Sequence, residues 1–181
     1  EDRADLAARV EYPCVVKPLS LAASQGVMRA DDPEQFVTMV DRLEAILACQ
    51  DGEPAREFLV EQFVEGPEVA LEGILTRSSL RVLALFDKPD PLEGPFFEET
   101  IYLTPSGLAD EVRQSVASSV QQAASALGLT DGPIHAELRL TGDGPVVLEV
   151  HGRSIGGLCS RLLRFGSGLS LEELIIRHAM D

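Results

Sequence analysis

The side chains with the most chemical content lie on two short runs, Ile134-His135-Ala136-Glu137-Leu138-Arg139-Leu140 and Val146-Val147-Leu148-Glu149-Val150-His151, separated by Gly142-Asp143-Gly144. Both runs alternate apolar and polar residues, the two-residue period of strands with one buried face. A three-residue turn with a glycine in the left-handed position folds them into a hairpin. In that register Thr141 faces Pro145, Leu138 faces Leu148, Glu137 faces Glu149, Ala136 faces Val150 and His135 faces His151. Carboxylates opposed at about 5 Å repel, and the repulsion vanishes when a divalent cation sits between them. Magnesium, its octahedron completed by phosphate oxygens, suits such a pair. Two histidines and two glutamates on one face are also a donor set for zinc, iron or manganese. The plainest reading is a solvated face whose charges are diluted by water and by Arg139.

These residues need elements to hold them. Asp2 to Arg9 reads as a helix, and Tyr12 to Lys17 as a short buried strand stopped by Pro18, with Lys17 closing it. Ser20 to Gly26 is small and polar, a flexible loop leading to a return strand at Gly26 to Arg29. Asp32, Pro33 and Gln35 combine an N-cap, a proline at the first helical position and a side chain that reaches back. The helix that follows runs to Ala48 and buries Phe36, Met39, Val40, Leu43, Ile46 and Leu47 at 3.6-residue spacing. Phe58 to Phe63, Val69 to Thr76 and Leu80 to Phe86 are strand-like, Pro89 to Pro95 is an exposed loop, and Glu98 to Leu103 is a further strand. Leu108 to Leu127 is a long amphipathic helix ended by Gly128, and a last helix starts near Ser170. Strands and helices mix without strict alternation, which predicts an α+β fold with antiparallel sheets.

Composition narrows the partners. With 181 residues, 45% of them apolar, the chain can bury a real core. A net charge of −15 repels a nucleic-acid backbone and an anionic membrane surface, so neither nucleic acid nor membrane is expected as a partner. No apolar run approaches the roughly 18 residues of a membrane span, and the N-terminus lacks the apolar stretch of a signal peptide. Cys14, Cys49 and Cys159 are odd in number and widely spaced, which predicts reduced thiols and a cytoplasmic protein. The N-terminal helix has nothing before it to pack on, as in a fragment that begins in mid-domain.

Tyr12-Pro13-Cys14-Val15-Val16-Lys17-Pro18, the loop Ser24-Gln25-Gly26-Val27, the stretch Val60-Glu61-Gln62-Phe63-Val64-Glu65-Gly66-Pro67-Glu68, and Glu137 with Glu149-Val150-His151-Gly152-Arg153 stand in an order and spacing that resemble the ATP-grasp superfamily. The likeness covers nearly the whole chain and is closest to the carboxylate–amine ligases and to the nucleotide-binding part of biotin carboxylase and glycinamide ribonucleotide synthetase. It implies two α+β subdomains with antiparallel sheets gripping the nucleotide: a small one over residues 1–62 with the phosphate-loop hairpin, a large one over 63–181 with the metal-binding strands, and a preceding domain absent.

Carried over by position, the resemblance implies that Lys17 contacts the α- and β-phosphates and that the loop with Ser24, Gln25 and Gly26 covers them through backbone N–H groups. Glu61 reaches the adenine amino group, Gln62, Phe63 and Val64 line the adenine slot, and Glu68 accepts from the ribose hydroxyls. Glu137 and Glu149 bridge magnesium ions, with His151 where the family commonly has asparagine, and Arg153 steadies the transferred phosphoryl group. Lys88, Glu98 and Glu99 face the phosphates and the acceptor from the Pro-rich loop and the strand after it. Ser154 to Arg161 runs into a helix and either presents N–H groups and Arg161 to a substrate carboxylate or is a plain connection with a surface arginine; Cys159 is a packed thiol.

The activity so implied is ATP- and magnesium-dependent ligation, with manganese as a substitute metal: a small carboxylate is activated as an acyl phosphate and attacked by an amine. The alternatives are a nucleotide-binding module without activity of its own and a His/Glu transition-metal protein. A homodimer is compatible with either.

Overall fold

In a computed structural model, residues 3–50, 57–98 and 101–180 are described. The chain folds as two units, Glu1–Glu65 with Pro91–Thr100, and Gly66–Asp90 with Ile101–Asp181. Glu99 lies outside the described residues.

The first unit is organised by its capped helix. It comprises α1 (Arg3–Ala7), β1 (Cys14–Pro18), β2 (Met28–Ala30), α2 (Pro33–Ala48) and β3 (Phe58–Gln62). At the start of α2 the Asp32 carboxylate accepts the Gln35 N–H at 2.9 Å, and the Gln35 side-chain oxygen accepts the Asp31 N–H at 3.2 Å. Two of the orphan donors of that region are thereby satisfied. Phe36, Val40, Leu43 and Leu47 are buried against Cys14, Val16, Met28 and Ala30, while Met39 and Ile46 pack at the margin. The sheet order is β2-β1-β3, all antiparallel.

Two expectations shift here. Pro18 does not stop β1 but pairs with Phe58, so Lys17 is the penultimate strand residue. The Ser20 to Gly26 loop is not loose: Gln25 N–H donates to Ala22 and Val27 N–H to Ser24, closing successive turns. Ala23 and Ser24 adopt φ of 55°, a left-handed conformation that glycine tolerates best. At Gly26, φ is +76° and a Cβ would meet Leu43 Cδ1 at 2.9 Å, so no other residue fits without strain.

The second unit is a four-stranded antiparallel sheet of order β5-β4-β6-β7, built from β4 (Glu68–Thr76), β5 (Ser79–Lys88), β6 (Gly132–Thr141) and β7 (Gly144–His151), with α3 (Asp110–Ala126) between the pairs in sequence. Val116, Val120 and Ala124 of α3 pack on Val69, Leu71, Leu75, Ile134, Ala136 and Leu138. A smaller cluster of Ala70, Phe86, Ile155, Leu163 and Leu171 joins the opposite sheet face to the C-terminal elements α4 (Cys159–Leu162), β8 (Arg164–Phe165), β9 (Leu169–Ser170) and α5 (Leu171–Met180). Central β4 is thus covered on both sides and buried along nearly all its length. Gly66 leads into it with φ +119°, and a Cβ there would collide with the Leu140 carbonyl oxygen, so the close approach requires glycine.

The expected strand Glu98 to Leu103 is reduced, among the described residues, to one bridge between Asp87 and Leu103. Thr104 and Pro105 then turn the chain away, and the Asp87 carboxylate accepts from Ser106 Oγ and Gly107 N–H. The hairpin turn has two residues, Gly142 and Asp143, because Thr141 Oγ1 bonds both the Gly144 carbonyl at 2.8 Å and the Asp143 N–H at 3.2 Å. Thr141 therefore faces Gly144, and Leu138 faces Val147. A bulge beside Leu138 takes up Leu148 and restores the pairs Glu137–Glu149, Ala136–Val150 and His135–His151.

Candidate functional site

In an antiparallel ladder, directly paired residues project to the same face. Three rows of side chains consequently share one face of the second sheet. Lys88, Glu68 and Arg139 form the first; Phe86, Ala70, Glu137 and Glu149 the second; Ala84, Glu72, His135 and His151 the third. The polar positions of β6 that the sequence offered are thus matched by two glutamates of β4 and by Lys88 of β5.

Lys88 is the last residue of β5 rather than a loop residue, and it is 5% exposed. Its Nζ lies 2.7 Å from Glu68 Oε1, 3.0 Å from Glu137 Oε1 and 5.0 Å from the centre of the Tyr102 ring. Arg139 Nε donates to the other Glu68 oxygen at 3.3 Å. Glu68, expected as a ribose acceptor, is also the counter-ion of Lys88 and Arg139, its place opposite both giving each of its oxygens one donor.

Glu137 also receives Tyr102 Oη at 3.4 Å and lies 3.5 Å from His135 Nε2. Burial by itself would raise the Glu137 pKa, but His135 and Lys88 overcome it and hold the carboxyl down at about 2. Burial would likewise lower the His135 pKa, and the flanking Glu137 and Glu72 raise it to about 9. The contacts of His135, 3.4 Å to Glu72 and 3.5 Å to Glu137, are at ion-pair distance, and Nδ1 has no hydrogen-bond partner within normal reach.

Glu149 is more open than Glu137 and pairs with His151 Nε2 at 2.9 Å. The His151 ring stacks on His135, with centroids 6.2 Å apart and planes at 13°. No group of three or more His, Cys, Asp or Glu among the described residues is arranged to hold a metal. Two carboxylates on one face, one of them held ionised, still fit magnesium, which keeps few protein ligands and takes the rest of its shell from phosphate. Arg153 follows β7, exposed, with Nη1 donating to the Ser154 carbonyl. Arg161 stands on the short α4, whose N-cap makes no side-chain hydrogen bond.

In the first unit, Lys17 Nζ contacts a Glu61 carboxylate oxygen at the surface end of the sheet. Ser24, Gln25 and Gly26 form the turns described above. Phe63 is buried, with the Arg29 guanidinium 4.1 Å above its ring and Phe97 stacked at 6.3 Å, while its N–H donates to the Pro13 carbonyl. Gln62 pairs with Cys14, and Val64 follows it outside the strand. Glu98 is described but makes no strand.

A family profile for the ATP-grasp domain matches residues 10–161. The chain belongs to the ATP-grasp family. It is 32% identical over 155 residues to dapdiamide A synthase of Enterobacter agglomerans, covering 84% of the chain and 35% of that protein. It is 34% identical over 151 residues to a D-alanine–D-alanine ligase of Aromatoleum aromaticum, covering 80% and 45% respectively. Among solved structures, L-amino acid ligase from Bacillus licheniformis superposes with a TM-score of 0.81 at 36% identity, over 98% of this chain and 43% of that one. A biotin carboxylase domain of Hydrogenobacter thermophilus shares the fold at 16% identity and TM-score 0.74. This ATP-grasp chain spans less than half the length of the curated relatives just named.

Sequence reasoning misses two members of the site, Tyr102 and Glu72, and reads His135 as a transition-metal ligand or as part of a solvated face. Glu72 does leave a signal, as the one carboxylate inside the apolar run Val69 to Leu75. Tyr102 leaves none.

Proposed function

We propose that this ATP-grasp domain serves an ATP-dependent carboxylate–amine ligase. A substrate carboxylate oxygen attacks the γ-phosphorus of ATP, ADP departs, and an amine displaces phosphate from the acyl phosphate to form the amide. The observation that carries this reading is the opposed pair Glu137 and Glu149 on one sheet face, with Glu137 kept anionic by Lys88 and His135. A magnesium ion held by that pair, or manganese in its place, would neutralise phosphate charge. Phosphoryl transfer asks the protein chiefly for positioning and electrostatics. Lys17 and the N–H groups of the Ser24 to Gly26 turns bind phosphates, Glu61 and the Gln62 to Val64 backbone hold the nucleobase, and Arg153 meets the transferred group with its exposed guanidinium.

The names of the relatives support small amino acid-like carboxylates and amines as substrates. The reduced, buried thiol of Cys14 and dependence on ATP suit the cytoplasm, and no helix among the described residues is long and apolar enough to cross a membrane.

The test is a thermal-shift and turnover series with ATP, ADP and magnesium across a panel of amino acids. A magnesium-dependent shift with ATP is expected, and Glu149→Gln should abolish magnesium-dependent turnover while leaving the melting temperature without ligand unchanged. Turnover that survives Glu149→Gln refutes the role. Binding without hydrolysis for every amino acid tried would favour a nucleotide-binding module.

A further inference from the structure

Glu72 has no role in the reading above, yet it is the least exposed charged side chain among the described residues, with no accessible surface. Burying a carboxylate is costly, and packing alone is served as well or better by an apolar side chain of that volume. What a carboxylate adds is an acceptor and a charge, and both are in use. Oε2 accepts the Ile155 N–H at 2.9 Å, across 83 residues of sequence, and lies 3.4 Å from His135 Nδ1. Oε1 has no hydrogen-bond partner, so the carboxylate is committed through a single oxygen.

Each of the two partners adjoins a residue of the proposed chemistry, Arg153 in one case and Glu137 in the other. Ile155 is two residues beyond Arg153, in a stretch between β7 and α4 that has neither helix nor strand to fix its path. Its side chain is buried with Ala70, Phe86, Leu163 and Leu171, and its N–H is the hydrogen bond that ties this stretch to β4. His135 contacts Glu137 through its other ring nitrogen.

We propose that Glu72 is a positioning residue: through the Ile155 N–H it places the segment that carries Arg153, and through His135 it orients Glu137, so that one buried carboxylate aligns the cationic and anionic groups that meet the transferred phosphoryl. This rests on the ligase reading for the identity of what is aligned.

The experiment measures amide hydrogen exchange at Ile155 and MgATP affinity by calorimetry in the wild type, Glu72→Leu, Glu72→Gln, Arg153→Ala and the Glu72→Leu/Arg153→Ala pair. Leucine keeps the volume and removes both acceptor and charge; glutamine keeps an acceptor oxygen. Loss of a charge-assisted buried bond predicts exchange at Ile155 faster by about ten- to a hundredfold in Glu72→Leu. MgATP affinity should fall by about tenfold in the same variant, and Glu72→Gln should recover the protection and most of the affinity. Because Glu72 acts largely through Arg153, the double variant should lose little more affinity than Arg153→Ala alone.

Unchanged exchange at Ile155 in folded Glu72→Leu overturns the proposal, as do fully additive affinity losses. Should Glu72→Leu not fold, Glu72→Gln decides, since lost Ile155 protection there is incompatible with an acceptor role. If the wild type binds no MgATP, the ligase reading falls and the alignment of phosphoryl-binding groups falls with it, while the exchange data still decide whether Glu72 places the Arg153 segment.

Discussion

The two units place the same residue types in opposite surroundings. Lys17 and Glu61 of the first unit meet with side chains 20% and 45% exposed, whereas Lys88, Glu68 and Glu137 of the second are 2%, 8% and 13% exposed. Water screens the first pair and leaves its members available for exchange of partners. In the second unit charge can be tolerated only as an alternating set, Lys88, His135 and Arg139 against Glu68, Glu72 and Glu137, in which removal of one member strands its neighbours. The contrast separates charges suited to capturing a ligand from charges that hold a ligand-binding carboxylate in one ionisation state.

The sharpest way to break that contrast is Lys88→Met. It leaves Glu68 and Glu137 without the cation between them and should cost about 3–5 kcal/mol, read as a fall in the urea midpoint at neutral pH. A loss below ~1 kcal/mol would mean that the second unit screens its charges as the first does.

Next in size is a pair of glycine substitutions. Gly66→Ala drives a Cβ against a backbone carbonyl oxygen at a strained φ, with nothing soft to yield, and should destabilise by about 3 kcal/mol. Gly26→Ala meets the flexible end of Leu43 and should cost about 1 kcal/mol. Thermal denaturation of both variants checks the order.

A pH profile sharpens the comparison further. His135 has its pKa raised from 6.5 to about 9 on folding, so its contribution is fully present below pH 6.5 and is lost as pH rises through 9. Glu137 is lowered from 4.5 to about 2, so its contribution is present above pH 4.5 and is lost as pH falls through 2. Stability from this network should therefore be flat between about pH 4.5 and 6.5, and His135→Gln should remove the alkaline decline measured by urea titration. An unchanged alkaline limb would contradict the ion-pair geometry.

The smallest effect belongs to Lys17→Met. With Glu61 nearly half exposed, the pair is worth at most about 1 kcal/mol to folding, while MgATP affinity should drop. A large loss of stability with unchanged affinity would assign Lys17 to the scaffold.

Much of the architecture is legible in the residues alone. Asp32, Pro33 and Gln35 announce α2 because capping is local chemistry, and the alternation around Glu137 and Glu149 announces the hairpin because a strand's period is local too. The turn length is not legible. Thr141 side-chain bonds select a two-residue turn, and the bulge at Leu148 that restores the glutamate pairing has no mark in the residue pattern. The strand expected at Glu98 to Leu103 illustrates the same limit, since of its described residues only Leu103 pairs, with Asp87, before the turn held by Asp87, Ser106 and Gly107.

The sequence by itself determined most of the element types, the family resemblance, and the placing of Glu137 and Glu149 on the two strands of one hairpin, since these depend on residue type at short or fixed spacing. Only the tertiary structure decided that Glu68 is an internal counter-ion, that Lys88 is buried beside Glu137, and that Glu72 reaches Ile155 across the fold. Those outcomes depend on which strands become neighbours, because desolvation and charge pairing act through space and carry no signature in the local order of residues.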